Sequence, residues 1–360
     1  MTSSSLAAEH SAAVNIDGKY QNTDVQYSAS ASSLWDAAKA YWNSKRTEPA
    51  PTQPLPVVAM THQSVQQLPD ASVTRLGHSS TLIKLDGKLI LTDPVFSERA
   101  SPVQFIGPKR FQAAAIELTE LPDIDVVVIS HDHYDHLDKA SIKALAPKTK
   151  AFIVPLGIGE LLQDWGVAAD TIRELDWWQE TRIDSLLFAA TPTQHFSGRG
   201  LLDTNKRLWA SWVIKGQQAN IFFSGDSGYF PGFKAIGDTY GPFDLTLIET
   251  GAYNEAWSDI HMMPEQSVQA NIDLQGRAMM PIHNSTFDLA LHNWYEPLER
   301  AHQAAQEQQV TLVTSLFGEP VSVLAIDERV QSAWWREVKL SNQEAIETAK
   351  AKNLAPVAAR

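Results

Sequence analysis

Six consecutive residues, His131-Asp132-His133-Tyr134-Asp135-His136, place three imidazoles and the Asp135 carboxylate on one short turn. They follow an apolar run, Ile124 to Ile129, whose composition predicts a buried strand. On an extended segment His131 and His133 project to the same side. Asp135 and His136 lie further round the turn and reach a second point in space. That spacing suits two metal ions side by side, each taking different ligands from one loop.

The same juxtaposition recurs along the chain. A buried strand ends, and a metal-competent residue follows: His195 after Thr191, Asp226 after Phe223, His283 after Ile282. In α/β sheets such strand ends converge on one crevice. The chain has no cysteine, which excludes disulfides and thiolate ligands, so any metal is held by nitrogen and oxygen. Imidazole and carboxylate suit zinc, and iron or manganese would also fit. Two adjacent ions lower the pKa of a shared water and polarise a phosphoryl or carbonyl oxygen.

Around these residues, Val73 to Leu76, Ser80 to Leu85 and Leu89 to Leu91 predict successive strands, with Asp86-Gly87 as a hairpin turn. Lys139 to Ala146 and Ile158 to Trp165 predict helices, the second ended by Gly166. Strands are expected over Ser185 to Thr191, Ile221 to Phe223 and Ala278 to Ile282, and a helix over Pro264 to Leu274. Strand and helix alternate after residue 124, which indicates an α/β layered domain. The expected organisation is an N-terminal extension and linker over residues 1–65, a catalytic domain over 66–330 and a helical tail over 331–360. Within the extension, Ser33 to Trp42 is amphipathic, with Leu34, Trp35, Ala38 and Tyr41 on one face, and is expected to pack on the main domain.

The pattern HxHxDH with a distant His, Asp and His resembles that of the metallo-β-lactamase superfamily. Further segments resemble its N-acyl-phosphatidylethanolamine-hydrolysing phospholipase D branch and bacterial relatives. They are Leu76-Gly77-His78-Ser79-Ser80, Leu91 to Phe96, Gly107-Pro108-Lys109-Arg110-Phe111, Thr191 to His195, Leu208 to Trp212 and Ile282 to Phe287. The resemblance covers roughly residues 70 to 325. It implies an αββα sandwich, two mixed β-sheets flanked by helices. It also implies two zinc ions, one on His131, His133 and His195, the other on Asp135, His136 and His283, with Asp226 bridging both. The activity implied is phosphodiester hydrolysis of phospholipase D type on N-acyl-phosphatidylethanolamine or related glycerophospholipids, by a hydroxide held between the metals. Asp135, Asp226 and His261 are the expected catalytic residues, and His261, Arg199 and Lys109 the expected substrate contacts. Asp93, at a strand end, is a candidate to orient a ligand histidine. The branch pattern has Trp-Gly where this chain has Asn284-Ser285, so the pocket wall beside the second metal is expected to differ.

Two other readings share these residues: hydrolysis of lactone or β-lactam bonds by the same centre, and a non-catalytic metal-binding envelope protein. Composition narrows the partners. A net charge of −13 and a pI near 5.3 argue against nucleic acid, whose phosphates need a basic surface. A phospholipid substrate would require a local apolar surface for peripheral membrane contact, and a homodimer is compatible with the family. Trp177, Trp178, Trp209 and Trp212 are candidates to line an acyl groove, with core packing as the default for such aromatics. No apolar stretch reaches the ~20 residues of a membrane span, and no signal peptide is visible, so cytoplasmic, exported and membrane-peripheral locations all stay open.

Overall fold

The computed structural model describes residues 11–26, 39–40, 42–200, 202–328 and 332–343. The amphipathic face expected over Ser33 to Trp42 falls outside the described residues, apart from residues 39, 40 and 42.

Fourteen strands form two seven-stranded sheets. The first contains β1 (Ser72–Arg75), β2 (Thr81–Leu85), β3 (Lys88–Thr92), β4 (Ile124–Val128), β5 (Thr149–Pro155) and β6 (Ile172–Leu175). The second contains β7 (Glu180–Ile183), β8 (Leu186–Thr191), β9 (Ser211–Lys215), β10 (Asn220–Phe223), β11 (Leu245–Glu249), β12 (Ala278–Ile282) and β13 (Thr311–Leu312). The last strand, β14 (Pro320–Ser322), returns to the first sheet beside β1. Strand order is β14-β1-β2-β3-β4-β5-β6 in one sheet and β13-β12-β11-β10-β9-β8-β7 in the other. Each sheet is antiparallel in one half and parallel in the other.

The turn chemistry follows from local residues. Asp86 and Gly87, at φ 50° and 73°, close the β2–β3 hairpin in the left-handed pair that such tight turns use. The parallel halves need crossovers, supplied by α1 (Lys139–Leu145), α2 (Ile158–Asp164), α3 (Gly232–Tyr240), α4 (Pro264–Asp273) and α5 (Glu296–Glu307). Asp138 caps α1 by accepting the Ala140 amide at 3.1 Å, and Pro264 opens α4 where its missing N–H costs nothing.

Strand periodicity sorts the apolar residues into three layers. Val73, Ile83, Ile90, Val126 and Val128 of one sheet meet Phe188, Trp212, Ile214, Phe223, Leu247 and Ile282 of the other. The outer face of the first sheet packs Leu91, Val127 and Phe152 against Ile142, Leu145, Ile158 and Leu162 of α1 and α2. The outer face of the second packs Phe222, Ile248 and Met279 against Phe233, Ile236, Val268 and Ala301 of α3, α4 and α5. The result is the expected αββα sandwich. Leu55, Met60 and Val65 from the first part of the chain, and Trp334 and Trp335 near its end, join the outer core of the first sheet. Among the described residues no helix is long and apolar enough to cross a membrane.

The register aligns the strand ends that matter. Arg75 pairs with Thr81, Thr81 with Thr92 and Thr92 with Val128, so the segments after β1, β3 and β4 leave one edge of the first sheet. In the second sheet Thr191 pairs with Ser211, Trp212 with Phe223 and Glu249 with Ile282, which brings the exits of β8, β10, β11 and β12 to the facing edge.

Candidate metal centre

The seven residues expected to bind metal come together at that shared edge. His131 Nε2 lies 2.9 Å from His133 Nδ1, and His195 Nε2 lies 3.2 Å from the same atom. His136 Nε2 is 3.5 Å, and His283 Nε2 3.2 Å, from Asp135 Oδ2. Asp226 sits between the groups. Its Oδ1 is 3.1 Å from His136 Nε2, and its Oδ2 is 3.1 Å from His283 Nε2, 3.7 Å from His195 Nε2 and 3.8 Å from His131 Nε2.

Local backbone explains how Asp226 and His283 reach these positions. Gly225 adopts φ 56°, and a Cβ there would lie 2.5 Å from Ser130 Cβ, so only glycine lets this turn close against the His-rich loop. His283 itself stands at φ 62° and Asp93 at φ 34°, in a region that L-residues enter at a cost and that functional sites commonly occupy.

Outer hydrogen bonds fix the rings. His136 Nδ1 lies 2.7 Å from Asp93 Oδ2, which also accepts the Ser130 hydroxyl at 2.6 Å, while Asp93 Oδ1 accepts the Ser130 amide at 2.7 Å. Asp93 thus does orient a histidine of the cluster. His195 Nδ1 lies 3.0 Å from the Ile260 carbonyl, which leaves Nε2 for the centre. The main chain of His195 is gripped by Asn22, whose Nδ2 donates to the His195 carbonyl at 2.8 Å and whose Oδ1 accepts the His195 amide at 3.1 Å.

The electrostatics separate the imidazoles. Burial, and then their neighbouring histidines, holds His131 well below the usual histidine range. His195 is held well below it too, where burial outweighs the attraction of Asp226. Both shifts favour the neutral ring, which presents a lone pair. Burial also acts to lower His136 and His283, but Asp226 and Asp135 outweigh it, lifting His136 well above its ordinary range and His283 to about 10. Burial would raise Asp226, and His136 and His283 more than reverse it.

This donor set fits metal. The Nε2 atoms of His131 and His195 lie 2.9 and 3.2 Å from His133 Nδ1, the spacing of ligands around an ion with ~2.0–2.1 Å bonds. Asp226 Oδ1 and His136 Nε2, both buried, lack any hydrogen bond of good geometry. Atoms of His131, His133 and His195 could hold one ion, and atoms of Asp135, His136 and His283 with His78 another; His131, His136 and Asp226 form a group between them.

The structure adds two residues that the sequence reading did not single out for the site. His78, between β1 and β2, is buried with both nitrogens unpartnered; its Nε2 lies 3.3 Å from Asp135 Oδ2, off the line of a hydrogen bond, and its ring is 3.9 Å from that of His283. Glu249, the last residue of β11, is wholly buried, with Oε2 3.1 Å from His261 Nδ1. Burial and the nearby Asp226 push its carboxyl well above the usual carboxylate range. The rule that a polar residue closing a buried strand marks the site applies to Leu-Thr-Leu-Ile-Glu as well, and would have found it.

A cavity of about 280 Å³ opens on the centre, lined by His133, Asp135, Asp226, His261 and His283 and by the apolar wall of Phe196, Trp257, Ile260 and Leu289. His261 is therefore at the centre. Arg199 is not in this cavity: its Nη1 donates to the carbonyls of Asp132 and Leu137 at 2.6 and 2.7 Å, and it lines a neighbouring 550 Å³ cavity with Lys139 and Lys143. Lys109 lines neither cavity, and its Nζ is 3.9 Å from Glu98. Trp177, Trp209 and Trp212 are core residues between the sheets, not groove walls. Asn284 and Ser285 also stand off the 280 Å³ cavity, and Asn284 Oδ1 accepts from buried Arg75 at 3.1 Å.

Fold and site together define a metal-dependent hydrolase of the metallo-β-lactamase class. The β-lactamase superfamily domain matches residues 88–284, and the chain belongs to that superfamily. It is 47% identical over 269 residues to an uncharacterized protein of Mycobacterium tuberculosis, covering 74% of this chain and 72% of the relative. It is 36% identical over 260 residues to N-acyl-phosphatidylethanolamine-hydrolyzing phospholipase D 1 of Caenorhabditis elegans, covering 68% of this chain and 73% of that one. Among solved structures, the metallo hydrolase Igni18 of Ignicoccus hospitalis shares the fold, with a TM-score of 0.53 at 22% identity over 69% of this chain and 97% of the other.

Proposed function

We propose that the chain hydrolyses phosphodiesters in the manner of a phospholipase D, acting with two zinc ions on N-acyl-phosphatidylethanolamine or a related glycerophospholipid. The observation that carries this reading is the complete His and Asp set beside an apolar-walled cavity, in a chain 36% identical to a nematode enzyme named for that activity. His131, His133 and His195 would hold one ion and Asp135, His136 and His283 the other, with Asp226 shared. Bound there, the ions would supply Lewis acidity and an acidified water.

The chain's own groups do the rest. Asp135 and Asp226 line the cavity and orient the attacking water. His261 takes a proton from that water at Nε2 and delivers it to the leaving alcohol as the new phosphorus–oxygen bond forms and the old one breaks. Trp257, Phe196, Ile260 and Leu289 give the substrate's apolar part a dry wall. Phe105 and Ile106, exposed on the loop before Lys109, are assigned to bilayer contact.

The test is an assay of zinc-loaded protein on N-acyl-phosphatidylethanolamine in mixed micelles and on bis-p-nitrophenyl phosphate. Release of phosphatidic acid, lost on chelation and restored by zinc, is expected. Absence of metal-dependent turnover of either substrate would rule the reading out.

A further inference from the structure

We propose that Glu249 is the positioning residue of His261, holding the ring by its Nδ1 so that Nε2 is the nitrogen presented to the cavity. The inference rests on the reading of His261 as the proton carrier.

Glu249 occupies an unusual place. In β11 the residues two and four positions earlier, Leu247 and Leu245, belong to the apolar layer between the sheets, and strand alternation gives Glu249 the same face. A leucine would continue the pattern. Instead the chain buries a carboxyl completely, and among the described residues no lysine or arginine forms an ion pair with it. A buried carboxyl in a leucine's place gives up apolar contact and leaves two oxygens to be satisfied, so packing alone does not account for it.

What the carboxyl touches is specific. Oε1 accepts the Met262 amide at 2.8 Å, and Oε2 lies 3.1 Å from His261 Nδ1. The backbone of Glu249 is fixed as well: its N–H donates to Ser224 Oγ at 2.9 Å, and its carbonyl accepts the Ser267 hydroxyl at 2.7 Å. The carboxyl is thus locked at both ends and presents one oxygen to one imidazole nitrogen. His261 lies on the cavity wall, its ring 5.1 Å from that of His195 and 5.4 Å from that of His283. With Nδ1 donating to Oε2, Nε2 carries the lone pair that faces the reacting groups. Burial and Asp226 oppose the ionised form of this carboxyl and the Met262 amide favours it; an Nδ1–H donated to Oε2 adds to the amide's effect, and a carboxylate so held fixes the ring's tautomer and orientation.

Glu249→Gln separates this from a packing role. The Met262 amide requires the oxygen of the glutamine, so the NH2 turns to His261 Nδ1, reverses that hydrogen bond and puts the ring proton on Nε2. The variant is isosteric, and its metal content and thermal midpoint are measured alongside. Expected is a fall in kcat of about 10²-fold, the usual scale for a positioned proton carrier, with KM little changed and two metals per chain retained. In a His261→Ala background the same substitution should change kcat less than about twofold, because Glu249 acts through that ring.

An equal loss in both backgrounds, or loss of metal, overturns the proposal. So does a silent substitution, the result expected if Glu249 were a carboxylic acid donating to Nδ1. A readout free of substrate keeps the two hypotheses apart. In zinc-loaded protein with 15N-labelled histidine, the ring signals lost in His261→Ala should report a proton on Nδ1 in the wild type and on Nε2 in Glu249→Gln. If the wild type turns over no phosphodiester, the functional reading fails while these spectra still decide the Glu249 contact.

Discussion

Asp93 shows how much of the centre is held by atoms that never face the cavity. Its two oxygens take three bonds, from His136 Nδ1 and from the amide and hydroxyl of Ser130, and Ser130 Oγ also lies 2.9 Å from His131 Nδ1. One carboxylate therefore sets two rings. Asp93→Asn keeps the shape but offers an amide where His136 needs an acceptor. Metal affinity, measured by competition with a chromogenic chelator, should fall 10–100-fold with stoichiometry unchanged at saturating zinc. An unchanged affinity would mean that the ring is held by packing alone. At this scale the sequence was most legible where a motif concentrated its signal: the His-rich turn, His195, Asp226 and His283 all follow strands that composition makes plain. Glu249 was hidden because its strand went unread. His78 was hidden because nothing in a lone histidine between two hairpin strands says that it faces a carboxylate 57 residues away.

At the scale of elements, the N-terminal extension is tied to the centre in a way no local pattern could reveal. Asn22 is buried and makes a reciprocal pair of bonds to the main chain of His195, 173 residues distant, while its Oδ1 also accepts Trp209 Nε1 at 3.0 Å. Gln194 Nε2 donates to the Val25 carbonyl at 2.7 Å, so the extension grips the loop of a candidate metal ligand twice. Asn22→Ala strands buried polar groups and should cost about 1–3 kcal/mol in denaturant unfolding. It should also weaken zinc binding, and loss of neither would show the contact to be incidental. The chain's other end is docked through Glu299 of α5, which pairs with Arg336 at 2.8 Å and accepts Trp335 Nε1 at 2.8 Å. The Arg336 bond holds the Glu299 carboxyl down at about 2, against an ordinary 4.5. A depressed carboxyl stabilises above its unfolded pKa and loses that stabilisation as pH falls through the folded one. The pair is well exposed, so its contribution is small. In thermal melts the gap between the wild type and Glu299→Gln should be present at pH 6 and close between pH 4.5 and 2. A gap independent of pH would exclude an ionic contribution. Strand ends, turns and the crossover helices α1, α2 and α4 were legible from periodicity and caps. Strands such as β7, whose residues alternate between exposed and half-buried, carry no apolar run to find, and α3 is masked by two glycines at its start and centre.

For the whole molecule, the placement of the centre between two sheets decides how metal and stability are linked. The first sheet contributes His131, His133, Asp135 and His136, and the second His195, Asp226 and His283, so ions held there would pin the two halves together. The layered fold was readable from alternating strands and helices, but which sheet supplied which ligand was not, because that depends on the long-range register. Without bound cations, Asp135 and Asp226 are balanced by His136 and His283, whose rings they hold protonated, His283 up to about 10. A raised histidine contributes stability that is full below its unfolded value of about 6.5 and is lost as pH rises through the folded value. The chelated protein should therefore lose stability between pH 6.5 and 10. Zinc bound there would replace those protons as the counter-charge, so loaded protein should not follow the same fall, and binding should tighten with pH as protons are released. Since a ligand at 100 times its Kd adds about 2.7 kcal/mol, the separation is well within reach of thermal melts. Melts of chelated and zinc-loaded samples from pH 6.5 to 9.5 should diverge steadily, and the loaded minus chelated difference should shrink in His283→Gln. Parallel curves would mean that the two carboxylates are not balanced by His136 and His283, and that the two sheets are held by their apolar layer alone.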